Sequence, residues 1–379
     1  MSTADSQDPK DHGDAALCID LAAVVSNYRW LAAQAKPART AAVVKADAYG
    51  TGVAQVAPAL ARAGAERFFV AQASEAVQLR AILGQSWSDA QIFVFGGVQD
   101  GQEQTFLDWN LTPVLNSLEQ ILRWQRCGFD TGPLAAAIHI DTGMNRLGLS
   151  SGDVRRIGED RSALDGIDPI LVMSHLACAD TPSHPMNRAQ LADFRDLSQI
   201  FPGVPRSLAN SSGIVLGADY HFDWVRPGLG LYGGNPVPGQ KNPLSRVVEV
   251  TAPVLQVRTV RPGESVGYGA SFRPDLTRRI ATVSAGYADG LARALAGAGA
   301  VFIRGRSAPI VGRLSMDLIG VDITDIPEPA IKAGDRVEIL GDHISVDDLA
   351  AAAGTISYEI LTSLGHRYLR HYRGSQGTP

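Results

Sequence analysis

The sequence predicts an α/β chain in two parts, an N-terminal (β/α)8 barrel followed by a mostly-β domain. Up to about residue 240, eight short apolar runs alternate with amphipathic stretches. The segment GGNPVPGQKNP then shifts the texture to Gly, Pro and Asn, as an exposed connection between domains requires. Beyond it, apolar runs are separated by Gly, Pro and Asp turns rather than by helices. A chain of 379 residues is long for one ordinary domain and suits a large barrel plus a second unit.

The expected barrel strands are 41–44, 67–71, 91–95, 112–115, 136–140, 170–173, 206–208 and 222–225, with helix-like segments such as 74–83, 118–126 and 187–200 between them. Eight repeats of strand then helix close into a barrel. The expected β-runs of the second domain are 247–250, 254–260, 280–283, 300–303, 318–321 and 336–340, with one helix at 346–353. The boundaries so read are a disordered tail over 1–13, the barrel over 14–240 and the β-domain over 241–379.

Composition narrows the function classes. Apolar residues make up 45% and charged residues 19%, as in soluble globular enzymes. A net charge of -5, with Lys and Arg scattered, offers no basic stripe for nucleic acid or an anionic membrane. Cys18, Cys127 and Cys178 form no C-x-x-C pair, so neither a disulfide framework nor a metal site is expected, and a reducing cytoplasm fits. The polar, acidic start MSTADSQDPKDHGD is the reverse of a signal peptide, and no later run has the roughly 20 apolar residues of a membrane span.

Several strand ends carry residues with chemistry. Lys45 ends the first run in AAVVKADAYG and would emerge at the carboxyl face, where barrels place their active sites. Partial desolvation there would free its amine to form a Schiff base with an aldehyde cofactor. Tyr49, four residues on, can offer its hydroxyl to phosphate. Arg146, in HIDTGMNRLG after the fifth strand, suits either a substrate carboxylate or a barrel-capping ion pair. His175, in MSHLACAD after the sixth, suits either a structural role or a ring packed on a cofactor. Ser211 in LANSSG and Gly228 in WVRPGLGLYG lie in the seventh and eighth loops, which in barrels commonly bind phosphate, though both also read as ordinary turns. Arg226 opens the eighth loop, and a guanidinium facing a pyridine nitrogen would keep that nitrogen neutral. In the second domain, ESVGYGASF presents Tyr268 between two glycines that let the backbone turn sharply.

Taken together, VVKADAYG, IDTGMNRLG, SHLACAD, NSSG, VRPGLGLYG, VGYGASF, GYADG, PIVGRLSMD and SYEIL stand in the order and spacing of one family. From about residue 14 to about residue 373 the chain resembles the alanine racemases. The resemblance implies a barrel plus β-domain, pyridoxal phosphate as cofactor, and a head-to-tail homodimer in which Tyr268 completes the partner's site. It implies that Lys45 holds the cofactor and that Lys45 and Tyr268 move the α-proton on opposite faces of Cα. It places Tyr49, Ser211, Gly228 and Tyr358 at the phosphate, Arg226 at the pyridine nitrogen and His175 beside the ring. Arg146 and the backbone of Met316 fall at the substrate carboxylate, Tyr287 at the entrance, and Ile356 where the pocket narrows toward a methyl side chain. The implied role is supply of D-alanine for peptidoglycan, or alanine catabolism.

Two departures stand out. His139 occupies a position where many relatives carry a carbamylated lysine, so a protonated His139, a chloride or a water would have to orient Arg146. Thr51 stands in Tyr49-Gly50-Thr51-Gly52 where relatives often read YGHG. The competing readings are a racemase of serine or broader specificity, a basic amino acid decarboxylase of the same architecture, and a non-catalytic pyridoxal-phosphate carrier. The tyrosine of GYG and the arginine of VRPG argue against the decarboxylase, and the large β-domain argues against the carrier.

Overall fold

The computed structural model describes residues 14–327 and 331–374, so the tail expected over 1–13 lies outside the described residues. The chain divides into two compact units, one spanning Leu21–Val247 and the other joining Val248–Arg373 to the segment that ends at Asp20.

Strand β1 (Ala16–Asp20), within the range read as barrel, pairs with strands of the second unit. The barrel follows it: β2 (Arg39–Thr40), β3 (Ala42–Val43), β4 (Arg67–Val70), β5 (Gln91–Val94), β6 (Thr112–Leu115), β7 (Leu134–His139), β8 (Ile167–Met173), β9 (Arg206–Ser207) and β10 (Trp224–Val225). They form one parallel sheet in the order β2-β10-β9-β8-β7-β6-β5-β4-β3. Only Ala41 separates β2 from β3, and its N–H donates to Val225 O at 2.9 Å, so the two are halves of one strand and the sheet closes with eight. Inside, Phe69 stacks on Phe93 and Phe95 at 4.6 and 5.1 Å, and the Arg67 guanidinium lies 4.2 Å from the Trp224 ring, which fills the lumen as a core. Helix Leu21–Ala35 packs on Val53–Arg62, Ser211–Leu216 and the short turn Leu229–Tyr232, so the helical layer missing after the last strand comes from the start of the chain.

The second unit contains β11 (Val248–Val260), β12 (Arg278–Val283), β13 (Ala300–Ile303), β14 (Arg306–Val311), β15 (Ile319–Asp322), β16 (Arg336–Leu340) and β17 (Leu369–Arg373). The runs expected at 247–250 and 254–260 are one strand. Register shifts on either side of Pro253 bend it, so that it pairs with β16 through its first part and with β12 through its second. That switch closes β11, β12, β15, β14, β13 and β16 into a ring, from which β1 and β17 extend. Alternate residues such as Val301, Ile303, Ile319, Val321, Val337 and Ile339 are buried within the unit, each contributing on the order of 1.5–3 kcal/mol.

Candidate active site

Val44 N–H still donates to Phe69 O at 2.9 Å, so Lys45 is the first residue past the strand. The chain then makes a left-handed turn: Ala46, Asp47, Ala48 and Tyr49 have φ of 52, 51, 54 and 56°. For L-residues this costs roughly 1–2 kcal/mol each, and a run of four needs outside support. Glu75 supplies part of it, accepting Ala46 N–H at 2.6 Å and Ala71 N–H at 2.7 Å. Asp47 Oδ1 accepts Val53 N–H at 2.7 Å, and Gly50 N–H closes onto Ala46 O at 2.8 Å. Burial first, and the charge of Arg146 next, hold the Lys45 ammonium below the usual lysine range, which favours the nucleophilic amine.

The turn delivers Tyr49 to the eighth loop. Its ring stacks on Tyr232 at 4.7 Å, and a Cβ placed on Gly228 would fall 2.3 Å from its hydroxyl oxygen, so only glycine fits there. Ser211 Oγ accepts the N–H of Gly228 and of Gly230, both at 3.0 Å, which leaves the serine proton free to donate outward. Asn210 positions that serine by capping helix Ser211–Leu216 through Gly213 N–H at 2.8 Å.

Arg226 is buried beneath this cradle. Its guanidinium donates to Ser174 O at 2.5 Å and to Ser207 Oγ, while Nε has no hydrogen-bond partner among the described residues. Burial lowers its pKa to about 9, so it stays protonated near neutrality. Burial and the charge of Arg226 push His175 well below the ordinary range, and it is neutral. Gln190, fully buried on helix Met186–Ser198, grips that loop: Nε2 donates to His175 O at 2.9 Å and to Thr142 Oγ1 at 3.2 Å, and Oε1 accepts Ala177 N–H at 2.8 Å. Thr142 Oγ1 lies 2.7 Å from Ser174 Oγ, linking the loop of Arg146 to the peptide that holds Arg226.

His139 is also neutral, with burial and then Arg226 lowering its pKa to about 4. A protonated His139, one of the possibilities open in the sequence, is therefore disfavoured near neutrality. Asn116 Nδ2 donates to Phe95 O at 2.9 Å and Val114 O at 2.8 Å, which turns its Oδ1 toward His139 Nδ1 at 2.7 Å. Nδ1 consequently carries the proton and Nε2 is the acceptor. Arg146 is exposed on the following loop and, among the described residues, forms no ion pair with a carboxylate. Among the described residues, the capping ion pair that the sequence left open is not formed.

Tyr268, Tyr287, Met316, Ile356 and Tyr358 belong to the other unit. Gly267 and Gly269, with φ of 77 and 70°, flank Tyr268 and leave it 71% exposed. Met316, Ile356, Tyr287 and Tyr358 are likewise exposed. The residues that sequence patterns missed are Asn116, Gln190, Glu75 and Ser207; each is a common polar residue whose role depends on a distant partner.

A barrel mouth carrying a nucleophilic amine beside a glycine turn with an outward serine hydroxyl, over a buried guanidinium whose Nε is unpartnered among the described residues, defines a (β/α)8 enzyme suited to a phosphorylated aldehyde cofactor. The family models for the alanine racemase N-terminal and C-terminal domains match residues 19–236 and 247–372. An alanine racemase of Rhizobium meliloti is 47% identical over 369 residues, covering 94% of this chain and 96% of its own length. A catabolic alanine racemase of Agrobacterium fabrum is 48% identical over 357 residues, with coverage of 94% and 91%. The crystal structure of alanine racemase from Bartonella henselae with covalently bound pyridoxal phosphate is similar at a TM-score of 0.91 and 41% identity, covering 95% of this chain and 99% of that one. The chain belongs to the alanine racemase family.

Proposed function

We propose that this chain interconverts L-alanine and D-alanine with pyridoxal phosphate, Lys45 and Tyr268 moving the α-proton on opposite faces of the substrate. The observation that carries the cofactor reading is the buried Nε of Arg226, without a partner among the described residues, beneath the Ser211–Gly228 cradle. A ring nitrogen would satisfy that donor, and the cradle, with Tyr49, would hold the phosphate; Tyr358 is assigned there by the family resemblance alone. When bound, the cofactor supplies an electron sink that acidifies the Cα–H bond.

The protein's own residues do the rest. Arg226 keeps its proton, so a ring nitrogen held against it would stay unprotonated and the cofactor would be a weaker sink, which would favour return of the proton to Cα over loss of the amine. Lys45, with its lowered pKa, exchanges a proton on one face, and the Tyr268 phenol on the other. Neutral His175 would lie beside the ring, Arg146 and the Met316 N–H would receive the carboxylate, Tyr287 would stand at the entrance, and Ile356 would limit side-chain size. The outward presentation of Tyr268, Met316 and Ile356 supports a head-to-tail homodimer in which each β-unit serves its partner's barrel. Three cysteines far apart in the sequence, with no C-x-x-C pair, support a cytoplasmic setting.

Purified protein incubated with either enantiomer should yield the mixture only when pyridoxal phosphate is present. Borohydride reduction followed by peptide mapping should place the pyridoxyl group on Lys45. Labelling at another lysine, or no interconversion by protein that shows the cofactor's visible band, would overturn the reading.

A further inference from the structure

Within the β-unit, the peptide joining Ser315 to Met316 is held from behind. Its carbonyl, Ser315 O, accepts Tyr287 N–H at 3.1 Å. In a trans peptide the N–H points opposite to the C=O, so this bond turns Met316 N–H away from the Tyr287 turn. Ala288 N–H donates to Met316 O at 3.0 Å and secures the next peptide as well. The direction of the Met316 N–H therefore follows from the position of the 286–290 turn.

That turn leans directly on the loop carrying Met316: a Cβ on Gly286 would fall 2.3 Å from Met316 O. Buried Asp289 shapes it by accepting Gly286 N–H on Oδ2 at 2.8 Å. The other oxygen of Asp289 meets Arg367 Nε at 3.2 Å, and Arg367 Nη1 meets Asp317 Oδ1 at 2.7 Å. One planar guanidinium thus grips both the turn behind the peptide and the residue just after Met316. Gly365 N–H donates to Asp289 O at 3.1 Å and ties the arginine's own loop to the same point.

We propose that Arg367 is a positioning residue for substrate carboxylate recognition, its fork across Asp289 and Asp317 fixing the outward direction of the Met316 N–H. This rests on the reading that Met316 N–H binds the carboxylate. Arg367 is half-exposed, and ion pairs of that exposure add little to stability, so the signature belongs in binding constants rather than in melting. Arginine is specified because lysine presents no rigid fork and cannot hold both carboxylates in one plane.

In the holoenzyme, Arg367→Met should raise the KM for both alanine enantiomers and the inhibition constant for propionate by about tenfold, the loss of an oriented bond to a charged group, with kcat falling less than about threefold. The cofactor's visible band should be unchanged, Arg367→Lys should recover part of the loss, and Asp317→Asn should reproduce a smaller part. Wild-type KM and propionate inhibition in Arg367→Met would overturn the inference, as would a fall in kcat alone. If propionate failed to compete with alanine in the unaltered enzyme, the carboxylate reading of this site would fall first and the role of Arg367 with it.

Discussion

Lys45 and Tyr268 are presented in opposite ways. Lys45 begins a turn held by Glu75 and Asp47, over a buried Arg226, beside loops held by Gln190 and Asn116. Tyr268 stands on a glycine-flanked turn with most of its ring open. The barrel unit thus organises its amine and anion cradle with its own contacts, where low dielectric can shift pKa values. The β-unit offers its phenol on an exposed turn, with none of that enclosure.

The contrast predicts unequal losses. Lys45→Ala should lower racemisation in both directions by about 10⁴, the upper range for a proton-transfer group. Near-normal turnover would sink the two-base assignment. Tyr268→Phe should reduce proton abstraction from L-alanine by about 10³ while exchange of the D-alanine α-proton with deuterated solvent stays within about tenfold; equal losses would show that the phenol does not serve one face. Mixing the two inactive variants sharpens the comparison. If each site takes Lys45 from one chain and Tyr268 from the other, hybrid dimers carry one intact site and activity reappears. Continued inactivity of proven hybrids would place both groups on one chain.

Smaller effects belong to the supporting side chains. Gln190→Leu would strand the Ala177 N–H and the His175 carbonyl, costing about 1–3 kcal/mol, visible as a lower denaturation midpoint and an altered circular dichroism of the bound cofactor. An unchanged midpoint would remove Gln190 from this role. His139 has the smallest effect near neutrality. Its folded-state pKa of about 4 lies below the ordinary 6.5, so between those values the unfolded chain binds more protons and stability falls as the pH falls. The full contribution is about 3 kcal/mol. His139→Asn should make the acid side of the stability curve shallower between pH 6.5 and 4, with His175, shifted in the same direction, retaining part of the slope. An unaltered slope would mean that His139 is not the titrating group.

Much of the barrel was legible because its strands are short apolar runs bounded by turns, and their carboxyl ends carry the reactive residues. β1, β14 and β17 were not read as strands. β14 contains Pro309, and β17, LRHYR, is an edge strand whose charged residues hide any alternation. Lys45, Arg226 and Ser211 stood out through their motifs. Asn116, Gln190 and Arg367 did not, since nothing in their neighbours distinguishes them from solvated polar residues.

By itself the sequence determined which reactive side chains the chain carries, their order, and the alternation of runs that specifies a barrel followed by β-structure, because local burial leaves a periodic trace. Only the tertiary structure decided the left-handed turn after Lys45, the tautomer of His139 and the grip of Arg367 on Asp317. Local energetics oppose the first, and the other two depend on partners 23 and 50 residues away, a distance over which no local pattern survives.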